Sequence, residues 1–396
     1  MTPFKNPEQQ AGRVDELDGL RGLLSLWVVL SHTFCWAGFL EFTAPRPFQR
    51  FWAEFIGAGA AVETFMILSG FAISFLLHKH QQSYGQFMLG RFFRIYPVYL
   101  VCLVLGLTAA LFLTPFVLHT AQWRGTLYFE WNRSFSSSES SATNLHVFWH
   151  LTLLNGLIPK RLLSDATATL LVPAWSISLE WQYYLVAPLL ARFVRSGFGL
   201  LFLAVLAWLG VRIGHVWANP HVAFLPAQLP LFLIGIGSYH LYEIFAKSSH
   251  RRSSAFAVPV AALLAASIVT SWHSTALTLW ALGFGCIFIQ GKDLFSRTLS
   301  ALRAFLLHRW LQRLGRISYP VYLVHWPLII LFLAALFYCR PEISSTHALL
   351  LMLFLGVPLI LFVATILHTF VERPFMTLGK RLNGRRQVTP NAPETA

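Results

Sequence analysis

Long apolar runs separated by short polar and basic segments set the pattern of this chain. A run of about 18 or more apolar residues is long enough to cross a bilayer as a helix. On that basis the pattern predicts spans at roughly 19–40, 56–77, 95–117, 175–195, 198–216, 224–246, 255–272, 275–290, 317–338 and 347–371. The expected fold class is therefore all-α, a polytopic membrane protein with about ten transmembrane helices. The hairpin at 255–290 has the shortest members. One long polar connection, 118–174, carries a Ser-rich patch from Ser134 to Ser141 that predicts a flexible loop. The apolar segment from His146 to Ile158 is too short to span, which suits a re-entrant or interfacial helix. This divides the chain into an N-terminal cytosolic segment (1–16), one transmembrane domain (17–378) and a basic disordered tail (379–396).

Composition agrees with that pattern. The 396 residues are 56% hydrophobic and 12% charged, whereas about a quarter of a soluble domain is charged. The net charge of +14 does not point to nucleic acid, because the basic residues fall in short clusters between apolar runs. Lys5, Arg13 and Arg21 flank the first span, and six Lys or Arg lie between Lys292 and Arg316. More follow from Arg373 to Arg386. Positive-inside counting then places both termini in the cytosol, and the lipid bilayer is the partner that this composition implies. The first helix shows no cleavable-signal pattern. Cys35, Cys102, Cys286 and Cys339 lack metal-ligand spacing and are expected to pack as small apolar residues.

Ionisable residues inside such segments are costly and mark function by default. Arg21 and His32 are eleven residues apart, which returns a helix to nearly the same face about 16 Å further along. Asp18, three residues before Arg21, can pair with it. A membrane-entry ion pair and an interhelical hydrogen bond would account for the same residues structurally. Arg91 and Arg94, also three apart, can clamp a phosphate with several donors; positive-inside anchoring explains them equally well. Lys79 lies on the same basic side. Glu63 and Glu180 fall within the second and fourth spans, where a carboxylate could fix the tautomer of His32 and raise its basicity, or sit protonated as a structural group. Ser318 to Pro327 puts His325 inside another span, and Glu372-Arg373 offers an ion pair at the end of the last; packing or capping explains either as well as chemistry does.

Taken together, these blocks resemble the acyltransferase 3 family of integral-membrane acyltransferases. Leu17 to Gly22 with His32 resembles the opening signature of that family. Val62 to Phe71 resembles its second-helix motif, with Glu63 where Asp is common. Arg91 and Arg94 match its paired arginines, and Trp175 to Tyr184, Ser318 to Pro327 and Glu372 to Pro374 match later blocks in order. The resemblance covers about residues 14–378 and is to the stand-alone type, without an extra esterase-like domain. It implies an O-acyltransferase of the bacterial inner membrane that moves an acyl group, most commonly acetyl, from cytosolic acetyl-CoA or another acyl-CoA. The acceptor is a carbohydrate or lipid-linked glycan of the envelope or an exported polymer. His32 maps to the catalytic histidine, Arg21 to its motif partner, and Arg91 and Arg94 to donor handling; on that hypothesis Lys79 would help the two arginines meet the donor phosphates, and no metal is expected. A transporter or flippase with a buried ion path is the competing class, which inverted repeats would favour; the sequence shows no convincing repeat.

Overall fold

A computed structural model describes residues 14–39, 48–79, 82–121, 143–159, 161–194, 196–217, 223–247, 273–288 and 294–385. These residues form an all-helical protein, with no strand among them. Each predicted span that falls on described residues coincides with a helix; the one at 255–272 lies outside them, as does Ser134 to Ser141. The helices are α1 (Asp15–Trp36), α2 (Gln49–Gly57), α3 (Gly59–Lys79), α4 (Tyr84–Thr120), α5 (143–152), α6 (Ala174–Phe193), α7 (Gly197–Trp217), α8 (Leu225–Lys247), α9 (Ser274–Gly285), α10 (Leu294–Leu306), α11 (Arg309–Cys339) and α12 (Ser345–Gly384). Among the described residues α3, α4, α11 and α12 are long and apolar enough to cross a membrane by length and composition. Large apolar side chains stand outward on α4 (Val104, Phe112), α7 (Phe198, Trp208) and α12 (Phe354, Phe370), the surface a lipid solvent allows.

Two close helix pairs organise the interior. α1 and α11 run side by side in the same direction, with Gly22 against the Leu311–Gly315 turn and Trp36 against Trp326. A Cβ on Gly22 would sit 2.6 Å from the Leu311 carbonyl oxygen and 2.7 Å from the Gly315 nitrogen, so only glycine permits this approach. α3 and α8 form the second pair, crossing at Gly70 and Gly235, where a Cβ on either would run into the carbonyl oxygen of Phe232 or Ile67. The short helix α2 ends on α1. Trp27 Nε1 donates to the Phe55 carbonyl at 2.8 Å and Ser31 Oγ to that of Ile56 at 2.6 Å, satisfying carbonyls that the last helical turn leaves open.

Two stretches are more ordered than the sequence suggested. The basic connection expected at 291–316 contains α10, held to α1 by Arg303 Nε and Glu16 at 2.8 Å, and the start of α11. The final helical segment, Arg373–Arg385, carries the chain past the boundary expected at 378. Packing explains the extension: Phe375 stacks on Phe93, and Asn383 Nδ2 donates to the Gln86 carbonyl at 3.0 Å. The His146 to Ile158 segment holds α5 and a single 3-10 turn, Asn155–Leu157, too short to cross a bilayer.

Candidate active site

His32 projects from α1 to His325 on α11, and the α1–α11 contact sets their distance. His325 Nε2 lies 3.0 Å from His32 Nδ1, with the rings stacked at 5.1 Å. His325 Nδ1 lies 2.7 Å from the Tyr322 carbonyl oxygen, which can only accept, so Nδ1 carries the proton. A neutral His325 then offers Nε2 as an acceptor, and His32 must donate from Nδ1. The network therefore assigns the His32 lone pair to Nε2, the arrangement a general base needs. Trp326 meets the His32 ring edge-on at 5.5 Å and limits its rotation.

A cavity of about 320 Å³ lies between α3, α4, α6 and α11, and neither His32 nor His325 is among the residues that line it. On α3 its lining extends from Val62 to Lys79, about 26 Å at 1.5 Å per residue. One end is basic, with Arg21, Lys79, Arg91 and Arg94; apolar walls of Phe65, Met66, Ile73 and Phe232 lead to Ser176 and Tyr322 at the other. The Ser176 and Tyr322 hydroxyls are 2.7 Å apart, and the Tyr322 ring lies 6.0 Å from that of His325. The basic end is shared with a wider basin of about 790 Å³, which adds Asp18, Arg313, Arg316, His368 and Arg373.

The two paired arginines do different things. Arg91 lies over the rings of Phe87 and Tyr184 at 6.0 and 5.7 Å, within cation–π range, and its buried Nε has no hydrogen-bond partner among the described residues. Arg94 forms an ion pair with Glu372 of α12, whose side chain is fully buried, and stacks over Tyr319 at 5.5 Å. Glu372 also accepts from His368 Nδ1 at 2.6 Å across a π-helical turn, His368–Glu372. Thus the partner of Glu372 is Arg94, from a different helix, rather than the adjacent Arg373.

Of the residues singled out in the sequence, Arg21, Lys79, Arg91, Arg94 and Glu180 come together around one cavity. Asp18 pairs with Arg21 at 3.4 Å, as their spacing predicted, and lines the basin. The carboxylates expected beside His32 are engaged elsewhere. Glu63 meets His273 Nδ1 at 2.7 Å, and Glu180 accepts from the hydroxyls of Tyr184 and Ser69. The ring that orients His32 is His325, which periodicity could not pair with it because the two are 293 residues apart. Sequence reasoning also missed Tyr322, Ser176 and the basin arginines Arg313 and Arg316. The apolar, proline-flanked setting of His325 in His325-Trp326-Pro327 was the available signal.

The cavity can hold a molecule that is polyanionic at one end and extended and apolar at the other, with its far end at Ser176 and Tyr322, one ring contact from His325. Comparison with known proteins gives that capacity a chemistry. No solved structure matches the chain. A protein named Acyltransferase MdmB, from Streptomyces mycarofaciens, is 25% identical over 367 residues, covering 85% of this chain and 84% of that one. A family described as an acyltransferase domain matches residues 14–372. With nearly its whole helical body inside that match, the chain belongs to the acyltransferase 3 family.

Proposed function

We propose that the protein transfers an acyl group, most commonly acetyl, from cytosolic acyl-CoA to a hydroxyl of an envelope or exported glycan. The observation that carries this reading is the His32–His325 pair, joined by the Tyr322 ring to a cavity whose opposite end is basic. Phosphates of the donor would meet Arg21 and Arg91 and the basin arginines, where multiple charge-assisted hydrogen bonds are available. The pantetheine arm would follow the apolar wall of α3 toward Tyr322. His32 Nε2 would then take the proton of the acceptor hydroxyl as its oxygen attacks the thioester carbonyl. The carbon–sulfur bond breaks, the acyl group passes to oxygen, and the thiolate leaves to be reprotonated. His325 accepts from His32 Nδ1 throughout and holds the reactive tautomer in place.

In the same proposal the protein lies in the bacterial inner membrane with about ten spans and both termini in the cytosol. Basic residues of the 78–94 connection, α10 and the end of α12 would then share the side from which acyl-CoA arrives. The test is purified protein in proteoliposomes supplied with labelled acetyl-CoA and glycan extracted from the host envelope. Covalent label on the glycan supports the proposal. Free CoA without acylated product, or a substrate crossing unmodified, overturns it in favour of a thioesterase or a carrier.

A further inference from the structure

The α3–α8 pair ends in a cluster that the transfer reaction does not use. Because Gly70 and Gly235 bring these parallel helices into backbone contact, the last turn of α3 lies beside the 239–243 turn of α8. His78 of α3 there meets His240 and Glu243 of α8, which are three residues apart and so share a face. One ligand atom from each lies within 4.8 Å of the other two. All three residues are half-buried. His78 Nδ1 is 2.8 Å from the Ser74 carbonyl oxygen, which accepts a hydrogen bond from it. That bond turns Nδ1 to the backbone, so a metal would be bound through Nε2, in the way backbone carbonyls stand behind metal-bound histidines. The His78 ring packs on Tyr239 at 4.7 Å and stands perpendicular to His240 at 5.4 Å.

Charge favours a cation here for a second reason. α3 ends at Lys79, one residue after His78, so the carbonyl end of its dipole lies at the cluster. Two imidazoles and one carboxylate suit zinc, with water in a fourth position; calcium and magnesium prefer all-oxygen sets. Tetrahedral bonds of about 2.0–2.1 Å put ligand atoms about 3.4 Å apart. The cluster must therefore close by up to about 1.4 Å from its 4.8 Å spread, a movement within reach of side-chain rotation.

We propose that His78, His240 and Glu243 form a zinc site that clamps α3 to α8 beside the basic end of the inner cavity. Lys79, the next residue, lines that cavity, so the clamp fixes the last turn of one of its walls. No regular motif spacing announces the site, since its ligands come from distant parts of the chain.

The test uses the full chain purified in detergent, freed of any affinity tag and stripped of metal. Titration with Co²⁺ is expected to saturate at one ion per chain with visible tetrahedral bands that Zn²⁺ displaces, and Zn²⁺ should raise the melting temperature. His240→Gln and Glu243→Gln should each weaken Co²⁺ binding at least about tenfold. X-ray absorption of the zinc-loaded wild type should show two imidazoles, a reading that does not depend on variants folding. Absence of saturable Co²⁺ binding at micromolar concentration by the wild type overturns the proposal. So does undiminished binding by a monodisperse double variant.

Discussion

Arg94→Ala should damage the protein chiefly through stability, whereas Arg91→Ala should damage it chiefly through binding. Arg94 neutralises Glu372, a carboxylate with no exposed side-chain surface. Removing one member of a buried ion pair leaves the other uncompensated, at about 3–5 kcal/mol. His368 stays within 2.6 Å of Glu372 and Arg94 is about a quarter exposed, so the lower end, about 3 kcal/mol, is the expected cost. In a chain of this size 1 kcal/mol corresponds to about 1–2 °C, giving a fall of about 3–6 °C in melting temperature. Adding Glu372→Gln should recover much of it, because the charge that Arg94 covered is then absent. Thermal unfolding in detergent, followed by intrinsic tryptophan fluorescence, measures both variants against the wild type. Should Arg94→Ala melt within 1 °C of Arg91→Ala, or should Glu372→Gln deepen the loss, the buried-pair argument fails.

The remaining predictions address the site, the packing and the topology. Arg91→Ala should weaken acyl-CoA binding about tenfold or more, the loss expected for one charge-assisted hydrogen bond, with little change in melting temperature; calorimetry checks both. His32→Ala should abolish labelled transfer while the protein remains monodisperse, and near-wild-type acylation would remove the histidine from the chemistry. His325→Ala should lower kcat by about 10²-fold at unchanged donor KM, with partial recovery in His325→Gln, whose amide oxygen can still accept from His32. Gly22→Val should prevent recovery of folded protein, because its Cβ would meet the α11 backbone at 2.6 Å; wild-type yield after size exclusion would contradict that packing. Cys339 is exposed while Cys35, Cys102 and Cys286 are buried, so a membrane-impermeant maleimide should label intact spheroplasts at this one position. Labelling only after permeabilisation would place the end of α11 in the cytosol and invert the proposed topology.

Apolar run length located the helices because a bilayer demands it: each span predicted on a described residue range is helical. The same criterion understated α10 and the end of α12. Their helicity comes from amphipathic packing on neighbouring helices, as Phe375 on Phe93 shows, and not from uninterrupted hydrophobicity. At the site, local spacing found what one helix can decide, such as the Asp18–Arg21 pair. It failed wherever the partner lay on another element. Glu63 and Glu180 were sensible carboxylates for His32 by depth alone, yet depth says nothing of azimuth, and helix rotation turns them toward His273 and toward Tyr184 and Ser69. The equivalence of Arg91 and Arg94 likewise ended once α12 brought Glu372 to only one of them.

The His32–His325 contact joins the first described helix to one that enters the chain 293 residues later. While the ribosome is still making the middle of the protein, His32 has only the Val28 carbonyl of its own helix as a partner, and the glycines of α1 face an unfilled groove. Completion of α11 therefore brings His32 its second ring as well as closing the fold. A nascent chain can hold Arg21, Arg91 and Arg94 on α1 and α4 early, yet the His32–His325 pair forms only when synthesis is nearly finished.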